Sequence, residues 1–297
     1  MKLNNPLLIA IVSIFAIVML AVFAGLLFAG DGFSGYGSVA VIPVKGDISN
    51  SQAIPGAFTA QEIVENLDDA ENDPAVVAIF LDIDSGGGDV VATNQIVYKV
   101  KEMEKPVLAY LGTVGASGAY YIAAAGDYIV SDQDTITGSI GVISMIPNME
   151  GLMEKLGIEI EVIERQAPKS MGSPFEPLSE GERAIMEQIV DDAYKAFKSN
   201  IAEMRGGRLN TSKFAEMADG RLISGRQAIS IGLVDELGSR EYAMRKAGEL
   251  GGLNGKPAVK QYEKKQSDLL SLLGAAGFNF GMGFRQAAQT TTSLKAY

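Results

Sequence analysis

The chain has 297 residues, 47% of them hydrophobic, with 25 Lys and Arg against 36 Asp and Glu. That length supports one sizeable core with appendages, and a formal charge of −11 provides no basic excess to displace the counterions of a nucleic acid. Neither cysteine nor histidine occurs. Their absence excludes disulfides, thiolate nucleophiles, Cys- or His-ligated metals and a Ser-His-Asp triad, leaving Asp, Glu, Lys and the amino terminus as bases.

Leu7 to Gly30 is a run of 24 residues without a charge, enough for a helix to cross a hydrocarbon layer about 30 Å thick. Lys2 precedes it and Asp31 follows. The positive-inside rule therefore predicts a single-pass anchor with a cytoplasmic N-terminus and an extracytoplasmic remainder. A cleaved signal peptide is the alternative, but its apolar region would be shorter. Residues 31–38 read as a Gly/Ser tether, residues 39–250 as the folded domain and 251–297 as a tail.

Within that domain β-rich runs alternate with helical spacing. Strands are expected over Val39–Val44, Val76–Asp84, Val107–Leu111, Tyr128–Ser131 and Ile140–Ser144, with an extended run at Glu159–Glu164. Helices are expected over Thr59–Glu71, Val90–Glu104, Ser117–Ala125 and Met149–Leu156. A capping box of Ser179 and Glu182 opens a long helix to about Met204, Ser224 and Gln227 open a short one, and Arg240–Leu250 is another. This alternation predicts an α/β fold with a mainly parallel sheet. The uncharged stretch Leu269–Phe284 is too short for a comfortable membrane span and reads as a packing or subunit-contact segment.

Three segments could carry chemistry. Asp84-Ser85-Gly86-Gly87-Gly88-Asp89 closes an apolar strand ahead of a helix. Its glycines uncover backbone N–H groups that suit an oxyanion, although an ordinary tight turn looks the same in sequence. In Gly115-Ala116-Ser117-Gly118, a serine among small residues sits where a strand gives way to a helix. Ser117 reads as a nucleophile on a sharp turn, with the Gly118 N–H beside it, or as a simple N-cap. Lys169 is the only charged residue between Arg165 and Glu176. A lysine buried among apolar groups is pushed toward its neutral form and can then act as a base; a snorkelling lysine is the alternative. A carboxylate pair drawn from Asp82, Asp84 and Asp89 competes for the acid–base role, unless Asp89 caps the next helix.

The segments Leu81–Gly88, Gly115–Asp127, Thr137–Val142, Ala167–Pro174 and Ala218–Gly238, in this order, resemble the signal peptide peptidase A family, in its short, N-terminally anchored form. The resemblance implies a ClpP/crotonase-like α/β fold and a membrane-anchored serine endopeptidase with a Ser–Lys dyad and no cofactor or metal. Ser117 would be the nucleophile, Lys169 the general base and Ser139 the residue orienting that lysine. Gly87 and Gly118 would be oxyanion donors, with substrate lying extended along Gly86 and Gly88. It also implies that remnant signal peptides and other apolar, membrane-released peptides are the substrates. Subunits would form a ring in which neighbouring protomers share each site. The family's usual proline after Ser85 is replaced by Gly86, and Asp89 stands in place of a glycine. A membrane-tethered scaffold that binds apolar peptides without cutting them is the competing reading. Acyl-CoA chemistry on the same fold is a weaker one.

Overall fold

The computed structural model describes residues 19, 37–50 and 59–262. The expected anchor (apart from Met19), nearly all of the tether and the stretch 269–284 lie outside the described residues. Among the described residues no helix is long and apolar enough to cross a membrane.

The domain is α/β. Its strands are β1 (Ser38–Lys45), β2 (Val76–Ser85), β3 (Val107–Ala116), β4 (Tyr128–Ser131), β5 (Ile136–Gly138), β6 (Leu222–Ser224), β7 (Glu236–Leu237) and β8 (Ala258–Gln261). The helices are α1 (Ala60–Asn72), α2 (Val90–Lys101), α3 (Gly118–Ala124), α4 (Glu150–Leu156), α5 (Glu180–Arg205), α6 (Thr211–Met217), α7 (Gly225–Ile231) and α8 (Arg240–Leu250). The sheet runs β6-β5-β3-β2-β1-β8, with β4 joined to β3 and β7. Only the β5–β6 pairing is antiparallel among these.

Both faces of the central strands are covered, which is why β1 and β2 read as nearly unbroken apolar runs. Val39, Val41, Ala78, Phe80, Leu108, Tyr110 and Val130 pack with Ala243, Met244 and Ala247 of α8 on one face. The alternate residues, such as Ile42, Ile79, Leu81 and Ile83, are fully buried as well, and α1 and α3 contact these strands. Tyr110 stacks on Phe80 with ring centroids 6.1 Å apart.

The sequence expectation and the structure part at the C-terminal ends of the strands. β3 continues past Leu111 to Ala116. Its pairing with β2 shifts between Ile83 and Ser85, which face Leu111 and Gly115. The extra residues bulge, and the Asp84 carboxylate accepts the Val114 N–H at 3.0 Å, supplying a partner that the interrupted ladder does not. β3 then forks. Leu108–Leu111 pair with β4, and Val114–Ala116 pair with β5 on the same edge. The strand expected at Ile140–Ser144 lies instead at Ile136–Gly138. Gly138 (φ 78°) and Ser139 (φ 51°) turn the chain out of the sheet. The run Glu159–Glu164 pairs with no strand among the described residues. The short β6 and β7, α6 and β8 had no sequence expectation. β8 adds a parallel edge strand to β1, so the sheet extends beyond residue 250.

Candidate active site

Ser117 terminates β3 and opens α3. Its φ is 54° and its ψ −126°, and its side chain caps nothing. Ser117 thus occupies the N-cap position without capping: its hydroxyl makes no bond to the helix's free N–H groups. Among the described residues, Ser117 and Ser139 are the non-glycine positions with positive φ. Such backbone costs about 1–3 kcal/mol and is held only where its surroundings demand it. Here the Ser117 N–H donates to the Gly138 carbonyl at 2.8 Å and the Ser139 N–H to the Arg221 carbonyl at 2.8 Å. β5 thus fixes both serines at neighbouring strand ends.

The glycine turn after β2 lies directly against this serine. A methyl group added at Gly87 would stand 2.8 Å from the Gly118 nitrogen, 2.9 Å from Ser117 Cβ and 3.1 Å from Ser117 Oγ, on a backbone with φ 104°. Gly87 is therefore required for the approach itself. Its own N–H, expected as an oxyanion donor, donates to Ser85 Oγ at 3.1 Å. The next residue offers the free group: the Gly88 N–H has no hydrogen-bond partner among the described residues. A Cβ on Gly118 would lie 3.5 Å from the Gly88 nitrogen, so the backbones of Gly88 and Gly118 are close together. Gly88 is anchored through its neighbours. Ile48 N–H donates to the Gly87 carbonyl at 3.0 Å, and Asp89 N–H to the Ile48 carbonyl at 2.8 Å. A side chain at Gly88 would run into the Ile48 carbonyl at 2.1 Å. Gly86 is exposed, with open space where a side chain would stand.

The three acids of the glycine segment have other work. Asp82 pairs with Lys45 and Arg240, each at 3.3 Å; Asp84 holds the bulge; Asp89 caps α2 by accepting the Ala92 N–H at 2.8 Å. No carboxylate pair forms among them. The described residues contain no cluster of three or more Asp and Glu able to hold a metal.

Lys169 is exposed, in a 3-10 turn over Ala167–Ser170. The burial expected from its neighbours in sequence is absent in a single chain, because the segment around it has few contacts with the core. The cavity beside Ser117 is lined by Gly88, Gly118, Thr93, Tyr121, Phe197 and Asn200 among others, and Lys169 is not one of them. Thr93, Tyr121 and Asn200 were not singled out from sequence, although a signal existed. Thr93 shares the stripe of α2 that buries Ile96, Val97 and Val100, and a polar residue on an apolar stripe calls for a partner or a purpose.

Comparison with known proteins identifies the family. Residues 99–254, which include Ser117, Ser139 and Lys169, match the model of peptidase family S49. The chain is 35% identical over 226 residues to "Putative protease MJ0651" of Methanocaldococcus jannaschii, covering 75% of this chain and 72% of that one. It is 32% identical over 252 residues to the chloroplastic serine protease SPPA of Arabidopsis thaliana, covering 82% of this chain and 37% of that one. With protease 4 of Haemophilus influenzae it shares 30% identity over 227 residues, 75% of this chain and 36% of that one. It thus spans most of the first relative and little more than a third of the other two. The chain belongs to peptidase family S49, the family of the signal peptide peptidase A-type proteases.

Proposed function

We propose that the protein is a membrane-anchored serine endopeptidase in which Ser117 is the nucleophile and Lys169 its base. The observation that carries this reading is Ser117, on a positive-φ backbone, with its hydroxyl against a glycine turn where the backbone nitrogens of Gly88 and Gly118 lie close together. In the reaction Ser117 Oγ attacks the peptide carbonyl while its proton passes to the free amine of Lys169. The N–H groups of Gly88 and Gly118 hold the developing oxyanion. Lys169 then protonates the leaving amine. Water, deprotonated by the same lysine, releases the acyl group from Ser117. Ser139, one residue beyond the carbonyl that binds the Ser117 N–H, orients the lysine. Substrate lies extended along Gly86–Gly88, and Gly87 contributes by lacking a side chain.

The exposure of Lys169 favours a site shared between copies of the chain. Ile143, Met145 and Ile163 are 80, 85 and 89% exposed, and Leu152, Leu156 and Ile189 are also open to solvent. Only Phe197, Ile201 and Arg205 of the 26-residue α5 are buried. Exposed apolar side chains on this scale favour association. Packing of a second copy there would remove water from Lys169 and carry it to a neighbour's Ser117, giving a closed homo-oligomer. With residues 7–30 as anchor, the domain of residues 39–250 would lie outside the cytoplasm. There it would degrade remnant signal peptides and other apolar peptides released from the membrane.

A fluorophosphonate probe tests the nucleophile on the assembled full-length protein. Labelling is expected in the wild type and absent in Ser117→Ala. A folded wild type that takes up no label would favour the non-cutting scaffold. Gly87→Ala is expected to lower kcat about 10²- to 10³-fold, as loss of oxyanion stabilisation does elsewhere. Far-UV circular dichroism should show the fold retained. Near-normal kcat would mean that the glycine turn is remote from the chemistry.

A further inference from the structure

The turn between β2 and α2 contains three successive glycines, Gly86, Gly87 and Gly88, and no side chain of their own restrains their dihedral angles. The peptide unit joining Gly87 to Gly88 is therefore free to rotate unless something outside it holds it. A trans peptide is planar, with its C=O and N–H on opposite sides. A half-turn of that unit would put the Gly87 carbonyl where the Gly88 N–H now stands, and a carbonyl oxygen repels an oxyanion. Three hydrogen bonds fix the present orientation. The Ile48 N–H donates to the Gly87 carbonyl at 3.0 Å and the Asp89 N–H to the Ile48 carbonyl at 2.8 Å, flanking Gly88 in a parallel bridge. With the Gly87 carbonyl drawn toward Ile48, the Gly88 N–H points to the other side. The third bond comes from a side chain. The Ser85 hydroxyl, in a residue 3% exposed, accepts the Gly87 N–H at 3.1 Å. It holds the preceding peptide unit, so both units that meet at Gly87 are tied. Gly86 adds no restraint: its N–H has no partner among the described residues, and a side chain there would meet open space.

We propose that Ser85 is a positioning residue for peptide cleavage, its hydroxyl setting the glycine turn so that the Gly88 N–H is presented to the reacting carbonyl beside that of Gly118. The assignment rests on the reading of Ser117 as nucleophile and of Gly88 and Gly118 as oxyanion donors. Without the hydroxyl the Gly87 N–H is released, and the next peptide unit samples the orientation that turns its carbonyl toward the site. Only molecules with the N–H inward then stabilise the oxyanion. The expected loss in kcat is about tenfold, smaller than the 10²- to 10³-fold that follows outright removal of a donor, because the Ile48 bonds remain. Binding of the uncleaved peptide changes little, since this N–H is called on as negative charge develops.

The test is Ser85→Ala in the assembled full-length protein, with an apolar peptide of alanine and leucine as substrate. kcat is expected to fall about tenfold, with KM within about twofold of the wild type. A peptide aldehyde of the same sequence, whose adduct with Ser117 places an oxygen where the oxyanion forms, should lose affinity by the same factor. Binding of the peptide itself to Ser117→Ala should be equal with and without Ser85→Ala. Gly86→Pro in the Ser85→Ala background should restore most of the lost kcat. Proline stiffens the turn at a position whose N–H is unbonded, whose side-chain space is open and whose preceding residue is in a strand. Equal losses of affinity for peptide and aldehyde would mark Ser85 as a support of the fold and overturn its assignment. An unchanged kcat would overturn it too, and a raised one would make the Gly87 N–H the donor that Ser85 withholds; either result leaves a cutting enzyme. A wild type that neither cleaves the peptide nor binds the aldehyde more tightly than the peptide would overturn the peptidase reading, and this assignment with it.

Discussion

Neither Ser117→Ala nor Lys169→Met is expected to cleave peptide, and co-expression of the two in equal amounts is expected to restore about a quarter of wild-type activity. The arithmetic follows from a closed oligomer in which each site takes its serine from one protomer and its lysine from the next. An intact site needs a Lys169→Met chain to supply the serine and a Ser117→Ala chain to supply the lysine. Each occurs with a probability of about one half. The structural motive is the separation within one chain: Ser117 borders a cavity that Lys169 does not line, and Lys169 stands exposed on its own turn. Each single substitution removes a member of a unit that acts together, so either alone should lower kcat by several orders of magnitude, about 10³-fold or more. The measurement is turnover of a fluorogenic peptide by the co-expressed mixture, with size-exclusion chromatography to show assembly. Zero restoration in assemblies of wild-type size would mean that each dyad is built within one chain, and the shared-site reading would fall.

The parts of this site that were legible in sequence are those in which residue type and position are locally coupled. Glycines at a strand end announce close backbone approach, and a serine flanked by Ala116 and Gly118 announces a sharp turn. The capping boxes at Ser179 and Ser224 form as their spacing requires. α8 occupies Arg240–Leu250, the range expected from its pattern. What sequence did not reveal depends on contacts between distant segments. The engagement of the Gly87 N–H is set by Ser85 Oγ, and the placing of the Gly88 backbone by Ile48, 40 positions from Gly88. The extension of β3 to Ala116 depends on Asp84 accepting from the bulge. β6, β7 and β8 have two to four residues each, too few for a periodic pattern, and they exist because longer strands present open edges. The exposure of Lys169 was illegible for the opposite reason. Its apolar neighbours in sequence suggest burial, and a single chain does not provide it.

The second large effect is on stability and concerns the C-terminal end of α5. Arg205 is 1% exposed. It donates through Nη1 and Nη2 to Asp235 at 3.0 and 2.7 Å and through Nε to the Gly232 carbonyl at 3.0 Å. Asp235 in turn accepts the Ile129 N–H at 2.8 Å, which ties the pair to β4. In the same loop the Leu233 carbonyl accepts from Tyr120 Oη at 2.7 Å, joining it to the helix that follows Ser117. Burial raises the Tyr120 phenol far above its ordinary range, so this donor persists. Arg205→Ala would leave the buried Asp235 carboxylate without its two-pronged partner, facing only the half-exposed Arg208 Nε at 3.6 Å, at a cost of about 3 kcal/mol. Urea unfolding should show a much lower midpoint. Arg205→Met/Asp235→Asn removes both charges while retaining an acceptor for the Ile129 N–H, and should recover most of that loss. If the double variant were no more stable than Arg205→Ala, the packing of the arginine stem rather than the unpaired charge would account for the loss. The coupling also reaches the site. Phe197 and Asn200 of α5 line the cavity beside Ser117, so Arg205→Ala is expected to weaken peptide binding even below the temperature at which the protein unfolds. The double variant, with that end of α5 relieved of a buried charge, should regain both properties together.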